Sequence, residues 1–186
     1  MGTITKEQIK ELFRRVDQRL ERKLDIYVIG GISAILGYNV AKETNDVDIE
    51  GAIDPEFNRI FEEEAQSLGL DLYLSSKGIF SPPENYRSRC QFEDFPKKKL
   101  RVWYLNQYDL AISKIDRGIG KDFEDIQRVH KKSPFDYDRL VQIFDDEYIR
   151  VSALGNPREK MMNLIDLVEN LFGSEFVEDA KKRIGF

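Results

Sequence analysis

The sequence predicts an α/β (α+β) chain: a mixed β-sheet flanked by helices, followed by a helical C-terminal portion. Three observations predict it. Short β-branched or alternating runs recur up to residue 105, with helical stretches between them. Beyond Asn106 the apolar residues recur only at three- and four-residue spacing. The strands are too few and too hairpin-like for a doubly wound parallel sheet. Grouped as domains, residues 1–130 carry the sheet and its first covering helices, and 131–186 form a C-terminal helical extension.

Ile4 to Leu24 reads as a helix, because Ile9, Leu12, Phe13, Val16 and Leu20 make one apolar stripe. Ile26 to Ile29 is a short β-branched run, a buried strand. "GGISAILGY" then opens a brief helix at its glycines. "DVDIEGAI" alternates acid and aliphatic, a strand with one polar face. Pro55 suits the first position of a helix over "PEFNRIFEEEAQSLG", which Gly69 closes. "LDLYLS", "RSRCQFEDF" and "KLRVWYL" are the remaining strands, with Pro82 and Pro83 marking a loop. Asn106 caps a helix over "QYDLAISKIDRG", and Gly118 to Gly120 breaks it before "KDFEDIQRVHKK". Two or three further helices follow over "DYDRLVQIFDDEYIRVSAL", "REKMMNLIDLVENLF" and "SEFVEDAKKRI", with Pro134 and Pro157 as separators.

Composition narrows the function classes. The 186 residues, 41% of them hydrophobic, are enough for a real core. No apolar run is long enough to span a membrane, and the charged N-terminus has no signal-peptide core, so a cytoplasmic protein with no membrane partner is expected. The single Cys90 permits no disulfide framework within one chain. A net charge of −5 argues against a non-specific nucleic-acid coat. Two basic clusters, Arg14, Arg15, Arg19, Arg22 and Lys23, then Lys97, Lys98, Lys99 and Arg101, read as solvated surface. His130, the only histidine, is expected at the surface, and Trp103 and Tyr104 in the core.

The chemistry concentrates in Ile26 to Gly51. Alternate residues of a strand share a face, so Asp46 and Asp48 set two carboxylates side by side. Like charges so placed repel, and a divalent cation with a preference for hard oxygen ligands, such as Mg²⁺, offsets that cost. Gly30 and Gly31 lie where a strand hands over to a helix. Backbone N–H groups there bind anions, and the missing side chains let a phosphate approach. Ser33, in the first helical turn, offers a hydroxyl to the same cradle. The common phosphate-loop and dinucleotide motifs are both absent.

Ile29-Gly30-Gly31, a short gap and Asp46-Val47-Asp48-Ile49 together resemble the polymerase-β-like nucleotidyltransferase superfamily. A second block strengthens the likeness. Tyr104 to Ile126 resembles the segment after the sheet in small bacterial nucleotidyltransferases, including AbiEii-type toxin relatives. The matching positions are Asp109, Leu110, Lys114, Arg117, Lys121, Asp122 and Asp125. Thr44 falls in a loop similar to the one that joins the family's two motifs. The resemblance covers roughly residues 25 to 130 and implies a nucleotidyltransferase-like mixed sheet.

It further implies Asp46 and Asp48 as catalytic metal ligands for Mg²⁺, with Gly30, Gly31 and Ser33 binding nucleotide phosphate. Lys114 and Lys121 are expected as auxiliary phosphate contacts; Lys114 and Arg117 share a helix face. One element departs from the pattern. The family usually adds a third carboxylate from a neighbouring strand, and the corresponding position in "KLRVWYL" holds Arg101; Glu93, Asp94 and Asp71 are the nearby substitutes. The expected activity is transfer of a nucleoside monophosphate from an NTP to an RNA, protein or small molecule. A toxin acting on tRNA or a protein, paired with an antitoxin, is one form of it. The alternatives are a non-catalytic nucleotide- or partner-binding module and an antibiotic-adenylylating enzyme.

Overall fold

The computed structural model describes residues 2–40, 42–77, 82–115, 120–150 and 155–186. The chain forms two compact units, one of residues 1–80 and 90–105 and one of residues 81–89 and 106–186. The first carries the sheet and the second is helical, so the helices over residues 106–130 cluster with the C-terminal ones. None of the described helices is long and apolar enough to cross a membrane.

The first unit is a five-stranded mixed sheet with helices on one face. In chain order it runs β1 (Thr3–Ile4), α1 (Lys6–Arg19), β2 (Leu24–Val28), α2 (Gly30–Tyr38), β3 (Lys42–Glu43), β4 (Asp46–Glu50), α3 (Pro55–Ser67) and β5 (Tyr73–Lys77). After the second unit's α4 (Tyr86–Arg89) come β6 (Gln91–Asp94) and β7 (Leu100–Tyr104). The sheet order is β5-β4-β2-β7-β6, while β1 and β3 pair separately. β2 lies antiparallel to β4 and parallel to β7; β4 and β5 are parallel, β6 and β7 antiparallel.

Local chemistry explains the elements. Thr5 and Gln8 form a reciprocal capping box that starts α1. Its stripe of Ile9, Leu12, Phe13 and Val16 is fully buried with Ile26, Val28, Val47, Ile49 and Val102 from the sheet and Phe57, Ile60 and Phe61 from α3. Asp54 caps α3 through the N–H of Phe57, with Pro55 as its first residue. Asp17 of α1 is wholly buried, and its carboxylate accepts N–H groups from Lys97, Lys99 and Leu100, tying α1 to the β6–β7 turn. The first basic cluster is largely matched by acids: Arg14 and Arg15 by Glu11, Arg19 by Glu63 and Glu64, Arg22 by Asp54.

The second unit, besides α4, contains α5 (Gln107–Ile115), α6 (Gly120–Lys132), α7 (Tyr137–Phe144), a π-helical turn over Asp145–Ile149, α8 (Pro157–Phe172), a 3-10 turn and α9 (Val177–Ile184). The Asn106 side chain caps α5 through the N–H of Asp109, as expected.

Several local expectations differ from the structure, among them the ends of the first helix, since Ile4 lies in β1 and Leu24 in β2. Residues 87–89, expected to open a strand, belong instead to a helical turn over Tyr86–Arg89, because the N–H groups of Tyr86 and Ser88 bond back to Pro83 and Asn85. Leu70 bonds back to Ala65 to close α3, which delays β5 to Tyr73. His130 is packed rather than exposed: its Nδ1 accepts the N–H of Phe135 at 3.1 Å, and its ring stacks on Phe135 and meets Phe172 edge-on.

Candidate active site

The site starts where β2 becomes α2. Ile29 is extended, and Gly30 adopts φ +61°, a left-handed angle that glycine enters without strain. That one residue turns the chain from strand into helix. Ile29 has no side-chain acceptor to offer as a cap, so the first N–H groups of α2 depend on other partners. Such a helix start favours an anion.

β4 runs beside this bend. Ile29 donates its N–H to the Asp48 carbonyl at 3.0 Å, which sets Asp48 against the turn. A Cβ added to Gly30 would lie 3.0 Å from Asp48 Oδ2. Gly30 is therefore required twice, by its backbone angle and by the carboxylate packed on it. Val47 and Ile49 enter the core, so Asp46 and Asp48 project from the opposite face of the sheet. Asp48 is 8% exposed and Asp46 half-buried. The Thr44 hydroxyl donates to Asp46 Oδ1 at 2.7 Å.

The fold thus brings Gly30, Asp46 and Asp48 together, with Gly31 in the first turn of α2. Ser33 faces elsewhere: it is fully buried, and its Oγ accepts the N–H of Leu105 at 2.8 Å, tying α2 to the end of β7. Lys114 belongs to the helical unit. Its ammonium donates to Asp122 Oδ1 at 2.8 Å and Asp125 Oδ2 at 3.0 Å, and all three residues are buried. Two of the three N–H donors of the ammonium are thereby taken up within the helical unit. The side chain of Lys121 and all of Arg117 lie outside the described residues.

A second ion cluster in the helical unit joins Arg89 to Asp109 through two hydrogen bonds and to Glu147 through two more. Burial pushes the Asp109 carboxyl up, while the Arg89 guanidinium pulls the other way.

Among the described residues, no third carboxylate joins the doublet. Arg101 sits on β7 opposite Asp25 and is paired with Asp94. Asp94 lies on β6, three strand spacings from β4, about 14 Å. Glu93 pairs with Lys10 of α1, on the helix-covered face of the sheet. Asp71 is exposed and precedes β5. Among the described residues, no three His, Cys, Asp or Glu side chains come close enough to hold a metal together.

The aromatics of β7 divide between the faces. Tyr104 is core, whereas Trp103, expected beside it, stands on the opposite face, stacked on Tyr27 at 5.7 Å and against Phe92. The contact that spacing alone did not reveal is Thr44 to Asp46; a small hydroxyl residue two positions before the first acid was its one sequence signal.

Comparison with curated proteins and with solved structures finds no match. A protein-family profile described as "Nucleotidyltransferase of unknown function (DUF6036)" matches residues 5–167, spanning both the glycine bend and the acid doublet. The chain belongs to this family of nucleotidyltransferases of unknown function.

Proposed function

We propose that the protein is a magnesium-dependent nucleotidyltransferase that moves a nucleoside monophosphate from an NTP to an RNA, protein or small-molecule acceptor. The observation that carries this reading is the packing of Asp48 Oδ2 against Gly30, which sets the acid doublet at an anion-favouring helix start. Family membership supports the reaction class.

The donor set fits Mg²⁺, which is commonly held by one or two carboxylates together with substrate phosphates. Asp46 and Asp48 would be those carboxylates. An ion held there would supply charge neutralisation for the leaving pyrophosphate. The chain's own part is positioning. The Gly30–Gly31 bend admits a phosphate to the backbone, and the α2 N–H groups complement its charge. An acceptor hydroxyl gives up its proton to solvent and forms the new bond to the α-phosphorus as the bond to pyrophosphate breaks.

A toxin whose target is tRNA or a protein, silenced by an antitoxin, is the version the AbiEii-like second block favours. That no third acid joins the doublet among the described residues supports a second reading, in which the same pocket binds nucleotide without turnover.

The test is to incubate the full chain with each labelled NTP, Mg²⁺ and either total tRNA or cell lysate. Label transfer should fall by roughly 10³-fold or more in the Asp46→Ala, Asp48→Ala double variant, since a metal clamp supplies several kcal/mol. Transfer that survives the double substitution overturns the assignment. Nucleotide binding without transfer under every condition selects the second reading.

A further inference from the structure

Thr44 is held where it meets Asp46 by the backbone on either side. The two residues before it, Lys42 and Glu43, form β3 and pair with Ile4 and Thr3 of β1. The carbonyl of the next residue, Asn45, accepts the Tyr73 N–H at 3.0 Å, and Asp46 then enters β4 in register with Tyr73 of β5. The hydroxyl is therefore placed by strand pairing, whatever occupies the site. Thr44 is only 9% exposed, so water competes weakly for its hydrogen bond. Its Oγ1 lies 2.7 Å from Asp46 Oδ1 and 3.3 Å from the Asp46 carbonyl oxygen. The shorter contact is the one to the carboxylate.

We infer that Thr44 is a positioning residue for the metal site: its hydroxyl holds the Asp46 carboxylate in one orientation and so raises the site's affinity for a divalent cation. The inference rests on Asp46 being a metal ligand, as proposed above. Hydrogen bonds from outside the ligand shell fix the rotamer of a ligating carboxylate, and their loss typically lowers metal affinity about 10- to 100-fold. A β-branched residue suits the task because its own χ1 is stiff. The two-residue strand β1 acquires a role as well, since it braces the segment that carries Thr44.

The probe is Mn²⁺ alone, titrated into the full-length chain and followed by the paramagnetic resonance of the free ion. Four variants are compared with the parent: Thr44→Ser, Thr44→Val, Asp46→Asn and Asp48→Asn. Serine keeps the donor and should bind Mn²⁺ within about threefold of the parent; valine keeps the shape, loses the donor and should bind about tenfold more weakly, at an unchanged melting temperature. A valine variant with parental affinity overturns the role of Thr44. A serine variant that folds normally yet binds as weakly as valine overturns it too, because the donor is present. Should valine not fold, Thr44→Ala makes the same comparison against serine. Parental Mn²⁺ affinity in both Asp46→Asn and Asp48→Asn sinks the metal-site reading itself, an outcome distinct from either failure of Thr44.

Discussion

In the helical unit, Asp122 and Asp125 close on the ammonium of Lys114, and Asp109 and Glu147 close on the guanidinium of Arg89. In the sheet unit, Asp46 and Asp48 share one face of a single strand, beside a helix start. The same side chain is used with opposite logic. A buried acid matched by a built-in cation is a pin between helices, stable because the pair is complete. Two acids set next to each other raise each other's cost, which a divalent cation, as proposed above, would offset. Asp17 is a third case, an acid satisfied by three backbone N–H groups.

The contrast is sharpest at Lys114. Replacing it by Met should leave Asp122 and Asp125 buried without their ammonium, at a cost of about 3–5 kcal/mol. Urea unfolding followed by circular dichroism reads this directly. If Lys114→Met instead unfolds like the parent while the KM for NTP rises, the lysine is a phosphate contact and the distinction between the two clusters fails.

Gly30→Ala probes the other side with a smaller effect. A left-handed φ costs a non-glycine residue about 1–2 kcal/mol, and the new methyl would press on Asp48 Oδ2. Mn²⁺ affinity is expected to drop more than thermal stability does. An alanine variant that keeps full Mn²⁺ affinity would show that the bend and the doublet work independently.

The smallest effect is expected at His130, where the helical unit uses burial without any charge. Burial holds its pKa below 6.5, and its Nδ1 accepts a hydrogen bond that only the unprotonated ring can take. The unfolded chain therefore binds the proton more readily than the folded one. Stability from this group is complete above about pH 6.5 and declines as the pH falls through that value towards the lower folded pKa. His130→Asn keeps an acceptor near the Nδ1 position and should flatten that decline in thermal melts recorded from pH 7 to 5.

Much of the sheet unit was legible from the chain. The α1 stripe, the strand ahead of Gly30 and the alternation of β4 are short-range patterns, and each element forms close to where its pattern lies. The helical turn at residues 86–89 was not legible, because "RSRC" carries no apolar period. Trp103 and Tyr104 were expected on one side together, yet adjacent strand residues point to opposite faces, and only the packing shows which face is core. Ser33 illustrates the same limit: its place in the first turn of α2 was evident, but its partner is Leu105, at the end of a strand far along the chain.

Asp46, Asp48 and the Gly30 bend follow from local rules alone, pleat alternation and the freedom of glycine at positive φ, which act over a few residues and need no tertiary contact. Partnership is another matter. That Asp48 packs on Gly30, that Thr44 orients Asp46, and that Lys114 is committed to two carboxylates depend on strand register and helix packing, which bring together atoms whose closeness no spacing along the chain encodes.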